Sequence, residues 1–280
     1  MDVLCNHGGD IVHALNANVY GNGTQTVVLA HGFGSDQTVW YYLIPYLACY
    51  FKVLVYDLVF SANVDPKLYN QTKYSNFNGY TDDLICLLDE LNVKNTIYVG
   101  QSMSAMIGCV ASIKRPEIFQ QVVLLSGSPR DKIDMYLLNG KGYNGGFERP
   151  QLNQVFKEID EDFPNWVKSF APAAVGVNIT TAVTKFEPSL GRMKPRIALS
   201  VAKTVFLSDP RRILPRVSVP SFIIQSEKDY IVPKSIAFYI KRNLRGPAKV
   251  KILKTEGHFP QLTAYPMLQK VLKQVLHINR

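Results

Sequence analysis

No apolar run of about 18 residues occurs anywhere in this 280-residue chain, so the sequence offers no candidate membrane-spanning helix and no membrane is expected as a partner. Met1 to Asn16 mix Asp2, His7, Asp10 and His13 with short apolar pieces; a basic start followed by an apolar block is missing, which argues against a secretory signal. Cysteine is scarce. Cys5, Cys49, Cys86 and Cys109 include no C-x-x-C spacing, which argues against zinc and thioredoxin-like chemistry. Cys86 and Cys109 lie inside apolar stretches and read as small buried hydrophobes, and all four are expected to be free thiols of a reducing compartment. Internal repeats and low-complexity segments are also lacking. The formal charge of +9 raises nucleic-acid binding as a reading, but long basic runs and interleaved aromatic platforms are absent. Lys114-Arg115, Arg211-Arg212 and Lys241-Arg242 are dispersed instead. A basic soluble surface is therefore favoured, able to meet an acidic protein, and no nucleic-acid partner is expected.

What the chain does have is a succession of short β-branched and apolar runs. They are Val27 to Ala30, Val53 to Tyr56, Thr96 to Val99, Val122 to Leu125 and Phe222 to Ile224, with a sixth, Val250 to Leu253, interrupted by Lys251 and placed nearer a sheet edge. Runs this short and this apolar suit strands buried on both faces of a parallel sheet. Helical stripes lie between them. Leu84, Leu87, Leu88 and Leu91 follow the i, i+3, i+4, i+7 pattern, as do Leu268, Val271, Leu272 and Val275. Strands alternating with helices predict an α/β protein with a mostly parallel sheet flanked by helices.

The alternation breaks between Leu125 and Phe222, too long a gap for a structureless loop. From Glu148 to Ser208 the pattern reads as several helices: Leu152, Val155, Phe156 and Ile159 form one stripe, and Pro164, Pro172, Pro188 and Pro195 punctuate the stretch. The division predicted is a sheet core over residues 1–130 and 209–280 with a helical cap over 131–208 inserted into it. A separate domain is the less favoured alternative, because the strand pattern resumes at Phe222.

Four pieces carry chemistry, each at a strand end. Thr96 to Val99 runs into Gly100-Gln101-Ser102-Met103-Ser104 and then a helical pattern. This is the strand–turn–helix layout of a G-x-S-x-G nucleophile elbow with Ser104, still small, in place of the last glycine. On its own the motif is weak. The second piece, His31-Gly32-Phe33-Gly34, follows the strand Val27 to Ala30; glycines let backbone N–H groups approach a reacting carbonyl, and the N–H groups of Phe33 and Met103 are assigned as oxyanion donors. An ordinary glycine turn is the other reading. The third piece is Asp229, just past the strand at Phe222 to Gln225, with Glu227 as a rival acid that reads as a solvated loop charge. The fourth is His258, in Glu256-Gly257-His258-Phe259-Pro260 past the sixth run. The remaining histidines have quieter readings: His7 and His13 at the surface, His277 exposed or capping in the last helix, and His31 ordering the oxyanion turn.

The chain order Ser102, Asp229, His258 is the order of an α/β-hydrolase triad. Serine alone is a poor nucleophile; His258 would take its proton while Asp229 holds the ring tautomer and stabilises the imidazolium. The fold expected is therefore an α/β-hydrolase fold with an inserted helical lid. A serine at 102 also argues against epoxide hydrolases, which need aspartate there. No metal and no cofactor is expected.

At these residues the chain resembles the plant karrikin and strigolactone receptors, α/β-hydrolases that hydrolyse or sense butenolides, with its closest look to karrikin-receptor-like members. The resemblance covers nearly the whole chain. It is carried by His31-Gly32-Phe33-Gly34, Tyr56-Asp57-Leu58-Val59, Ser102-Met103-Ser104-Ala105-Met106-Ile107-Gly108, Ala111-Ser112-Ile113, Arg115-Pro116-Glu117, Ser128-Pro129-Arg130, Gly145-Gly146-Phe147-Glu148, Phe170-Ala171-Pro172, Ser208-Asp209 and Gly257-His258-Phe259-Pro260. It implies an apolar pocket above Ser102, roofed by the cap, with pocket positions at Phe33, Trp166, Phe170, Phe206, Ile231 and Phe259. From the residues alone these six would be core. It also implies a small apolar butenolide ligand, an F-box protein and a transcriptional repressor as partners, and a cytoplasmic and nuclear location.

Three departures stand out. Gln101 replaces the histidine usual before the nucleophile, which alters hydrogen bonding behind the triad and spares the triad itself. Arg130 is followed by Asp131-Lys132-Ile133-Asp134-Met135, where the resemblance implies an aromatic residue and a shorter link to Gly145-Gly146-Phe147-Glu148. Phe259 stands where leucine is more common, so pocket volume differs. The favoured function is a butenolide receptor with slow serine-hydrolase activity on a lactone or enol-ether ligand. A plain esterase or lactonase without signalling, and a binding-only receptor with a vestigial triad, remain as alternatives.

Overall fold

The computed structural model describes residues 10–129, 132–133, 147–176 and 179–278. Its main sheet has seven strands in the order β1-β3-β2-β4-β5-β8-β9. These are β1 (Asn18–Tyr20), β2 (Thr26–Ala30), β3 (Lys52–Tyr56), β4 (Thr96–Gln101), β5 (Phe119–Leu125), β8 (Ser221–Lys228) and β9 (Ala248–Glu256). All neighbours pair in parallel except β1, which runs antiparallel to β3. The six apolar runs are six of these strands. Every residue of β2 and β4 is buried, which is why their sequences read as continuous apolar runs and not as an alternation. β9 ends the sheet; Lys249 and Lys251 point to solvent between half-buried neighbours, a common way to blunt an edge. β1 escaped the sequence pattern because all three of its residues are exposed and only its backbone holds it to β3.

The helices of the sheet domain are α1 (Ile11–Ala14), α2 (Ile44–Ala48), α3 (Phe77–Glu90), α4 (Met103–Lys114), α9 (Ser235–Asn243), α10 (Pro260–Thr263) and α11 (Tyr265–Val275). In α3 the Asn76 side chain accepts from the Asn78 N–H at 2.8 Å and starts the helix, and Leu84, Leu87 and Leu88 are buried on its stripe. Leu268, Val271, Leu272 and Val275 are the buried face of α11. Cys109 inside α4 is wholly buried and free, and burial pushes its thiol up to about 12. Cys49 is free and exposed. Cys86, however, is disulfide-bonded, which corrects the expectation of free thiols throughout. A buried thiol brought by the fold within bonding reach of another sulfur is not inert packing, and local C-x-x-C spacing carries no sign of such a pair. Cys5 and His7 lie outside the described residues.

Between β5 and β8, neighbours in the sheet, the chain leaves to form α5 (Arg149–Glu161), α6 (Phe163–Val175), α7 (Thr180–Gly191) and α8 (Pro195–Leu207), preceded by a short parallel pair, β6 (Lys132–Ile133) with β7 (Phe147–Glu148). Leu152 and Ile159 are the buried part of the α5 stripe. The Gln151 side chain accepts from the Glu148 N–H at 2.8 Å and closes a capping box at its start. Pro164 and Pro195 sit in the first turns of α6 and α8, but Pro172 and Pro188 lie inside α6 and α7, so not every proline marks a boundary. The cap boundary at 130/131 falls outside the described residues, as do Met135 and Gly145-Gly146; its other end, 208/209, falls just after α8. Among the described residues no helix is long and apolar enough to cross a membrane.

Candidate active site

The chain passes from β2 outward to β3 and then back across to β4 on the other side of β2. Strand order therefore reverses between β2 and β4, and the crevice outside their carboxyl ends is the place where an open parallel sheet receives ligands. Ala30 pairs with Gly100, so the residues that follow each strand, His31-Gly32-Phe33-Gly34 and Gln101-Ser102, meet at that crevice.

Ser102 has φ +56 and ψ −120, a left-sided backbone that a non-glycine residue holds only when its surroundings impose it. A Cβ at Gly100 would lie 2.4 Å from the Ser104 carbonyl oxygen, so the tight turn requires glycine there. Ser102 stands at the N-cap of α4 without using its hydroxyl as a cap, and is partly exposed. Its side chain is thus spared from structural work at the mouth of a helix whose first N–H groups have no helical acceptor. Met103 supplies the first of these, and the Phe33 N–H donates to no other described residue. Both can face a developing oxyanion. Ser104, placed where a glycine usually closes the elbow, adds a bond: its hydroxyl donates to the His31 carbonyl at 2.5 Å and ties the elbow to the oxyanion turn. His31 is held at both ring nitrogens. Nδ1 donates to the Gly32 carbonyl at 2.9 Å, and Nε2 accepts from the Leu58 N–H at 2.9 Å.

Asp229 and His258 follow the neighbouring strands β8 and β9. Their side chains meet through Nδ1 and Oδ2 at 2.8 Å, both buried. Asp229 also accepts from the N–H groups of Ile231 at 2.8 Å and Val232 at 3.0 Å and from Gln225 Nε2 at 2.9 Å. A carboxylate so saturated stays fixed, and it sets the imidazole as Nδ1–H with Nε2 free to accept a proton. Glu227 is exposed and pairs with Lys234 at 3.5 Å, as a solvated loop charge does. His13 and His277 are exposed.

Above the rim, aromatic rings close in. The Phe33 ring lies 6.4 Å from Trp166 and 6.5 Å from Phe206, and Trp166 stacks on Phe170 at 4.7 Å. Trp166, Phe170 and Phe206 line a cavity of about 300 Å³ whose outer lip is Gln151, Gln154, Glu158 and the exposed Tyr230. Phe33 adjoins two of these rings, but Phe33, Ile231 and Phe259 do not line this cavity. Ile231 is buried behind Asp229, and Phe259 packs on Phe186 at 4.3 Å and edge-on to His258 at 5.5 Å. A larger cavity, about 700 Å³, opens at the amino edge of the sheet among Gln25, Tyr50, Ile97, Pro220 and His277; neither cavity is lined by Ser102, Asp229 or His258, and the smaller one comes nearest the rim through Tyr230, next to Asp229 in the chain.

Three residues have roles that went unread in the sequence, although Asp57 stood in one of the segments that carry the resemblance. Gln225 braces Asp229 from within β8, a position that pattern reading assigns only to the strand. Asp57, wholly buried, accepts from the Gln37 N–H at 2.7 Å and Asn16 Nδ2 at 2.8 Å, and so anchors the loop beside the oxyanion turn. Ala174, at the end of α6, accepts from the His258 N–H at 3.0 Å. Only the first two carried a possible signal, polar residues at or just after apolar strands.

A family description, the alpha/beta hydrolase fold, matches residues 25–265. The chain is 43% identical to a strigolactone esterase of Arabidopsis thaliana over 95% of this chain and 98% of that protein. It is 42% identical to a karrikin insensitive 2 receptor of Petunia hybrida over 96% and 98%. Among solved structures it is similar to a hydrolase from Oleispira antarctica, with a TM-score of 0.90 and 29% identity over 99% of this chain and 100% of that one.

Proposed function

The chain belongs to the alpha/beta hydrolase fold family, and from that premise we propose that it is a butenolide receptor that slowly hydrolyses its ligand, with Ser102, His258 and Asp229 as nucleophile, base and orienting acid. The carrying observation is the 2.8 Å pair of His258 and Asp229 at the carboxyl rim of the sheet, the rim at which the turn after β4 holds Ser102 with its hydroxyl free of capping. Full-length likeness to a strigolactone esterase and a karrikin receptor supports the choice of ligand class.

The chemistry follows from the placement. Ser102 Oγ attacks the lactone carbonyl as His258 Nε2 takes the hydroxyl proton. The carbonyl oxygen gains charge against the N–H groups of Phe33 and Met103. Collapse breaks the ring C–O bond, the departing oxygen takes the proton from His258, and the acyl group remains on Ser102. Water, deprotonated by His258, then releases it. Trp166, Phe170 and Phe206, with the neighbouring Phe33, supply the apolar surface for the ligand body. The same reading extends to an F-box protein and a transcriptional repressor as partners, and to a cytoplasmic and nuclear location.

Ser102→Ala tests it. Hydrolysis of a butenolide ester is expected to vanish while the melting temperature holds, and intact-mass spectrometry of the unaltered protein is expected to reveal a ligand-derived adduct on Ser102 or His258. Undiminished turnover by the alanine variant would overturn the mechanism.

A further inference from the structure

Gln101, the last residue of β4, is wholly buried and touches two separate parts of the site. Its Nε2 donates to the main-chain carbonyl of His258 at 3.2 Å. A carbonyl oxygen only accepts, so the amide nitrogen is the end that faces it. The N–H of the same residue, His258, donates to the Ala174 carbonyl at 3.0 Å, and its ring is held by Asp229 at 2.8 Å. The base is thus fixed at three points: through its N–H from the cap, through its ring from β8, and through its carbonyl from Gln101. On its other side Gln101 meets the oxyanion turn. Oε1 lies over the Gly32 Cα, so near that a Cβ there would stand 2.2 Å away.

That Oε1 has no hydrogen-bond partner among the described residues. Leaving a buried acceptor unpaired destabilises a fold, so the Oε1 end gives no reason for an amide at 101. The reason lies at the other end, in the bond from Nε2 to the His258 carbonyl. We infer that Gln101 is a positioning residue for hydrolysis, acting through His258: it sets where the base loop stands relative to the nucleophile that directly follows Gln101 in the chain. This rests on the hydrolase reading above.

The test uses Gln101→Met, which keeps length and volume but loses the donor, and Gln101→Asn, which keeps the amide but falls one methylene short. With p-nitrophenyl acetate as substrate, both variants should lose roughly 10- to 100-fold in kcat per folded molecule while KM changes little, the signature of a misplaced base and not of lost binding. In a His258→Ala background, Gln101→Met should cost nothing further, because the residue it acts through is gone. Wild-type kcat per folded molecule in Gln101→Met, an equal loss in the His258→Ala background, or failure of both variants to fold would each overturn the assignment. Labelling of Ser102 in the unaltered protein by a fluorophosphonate is read separately. Its absence would sink the hydrolase reading and this inference with it; normal labelling beside a silent Gln101→Met sinks this inference alone.

Discussion

The carboxyl rim of the sheet and the helical cap above it are held together by different means. On the rim, directional bonds dominate: Asp229 accepts four hydrogen bonds of 2.8 to 3.0 Å, from Ile231, Val232, Gln225 and His258. In the cap, rings dominate: Trp166 touches Phe163 at 5.8 Å, Phe170 at 4.7 Å and Phe33 at 6.4 Å. Polar ties to the core include Ser189 Oγ to the Gly34 carbonyl at 3.0 Å, Thr204 Oγ1 to the Tyr74 carbonyl at 3.0 Å and Arg192 to Asp36 at 3.1 Å. Hydrogen bonds fix angles as well as distances, whereas apolar contact is governed by area and tolerates rearrangement. Proton transfer needs the first property, and accommodating a ligand needs the second. The separation of the two in one molecule predicts that rim and roof substitutions damage different measurable quantities.

The largest effect belongs to the rim. Asp229→Asn keeps the shape but turns an amide toward His258 Nδ1, so the ring protonates on Nε2 and can no longer accept the serine proton. Single-turnover hydrolysis should fall by roughly 10³- to 10⁴-fold. Ligand affinity measured by calorimetry should hold, because the roof is untouched. A fall of less than about tenfold would mean that the rim does not orient the base.

How much of this was readable beforehand follows the same division. Ser102, Asp229 and His258 could be picked out because each stands a few residues past an apolar run, as His31-Gly32-Phe33-Gly34 stands directly after one, and strands buried on both faces announce themselves in sequence: Val27, Val28, Leu29 and Ala30 are all fully buried. The roof's existence could be read from a gap without strands, but its joints to the rim could not. His258 donates to Ala174, residues remote in the chain, and no spacing rule encodes that approach. Ser104 read merely as small, while its hydroxyl bond to His31 exists only once β2 and β4 lie side by side. The disulfide at Cys86 stayed hidden for a similar reason, since non-local pairing leaves no local pattern. Trp166, Phe170 and Phe206 looked like ordinary core, and burial alone does not separate a core ring from a pocket wall.

A change at the joint should hurt both regions. Gly257 has φ +90, and a Cβ on it would stand 1.8 Å from the Val175 carbonyl oxygen at the end of α6. Backbone on both sides leaves no flexible side chain to yield, so Gly257→Ala must part the histidine loop from the cap. Loss of roughly 10²-fold in kcat is expected from displacement of the base, and the strained left-sided backbone should cost about 1–2 kcal/mol of stability. Calorimetric melting and steady-state kinetics on the same preparation check it; a variant with unchanged kcat would show that the cap contact at His258 does not hold the base.

The smallest catalytic effect is expected from the roof, although its effect on stability is large. Trp166→Ala removes a nearly fully buried ring that stacks on Phe170 and borders Phe33, which should lower stability by about 3–5 kcal/mol. The rim bonds around Asp229 and His258 involve none of its atoms. For p-nitrophenyl acetate, too small to need the roof, kcat per folded molecule should therefore change by no more than a few fold, while affinity for a butenolide ligand falls much further. The two readouts diverge only if area and direction are carried by separate parts of the molecule. Should kcat for the small ester collapse together with butenolide affinity, the cap would have to be counted among the elements that orient the base, through the Ala174 bond at the far end of the same helix.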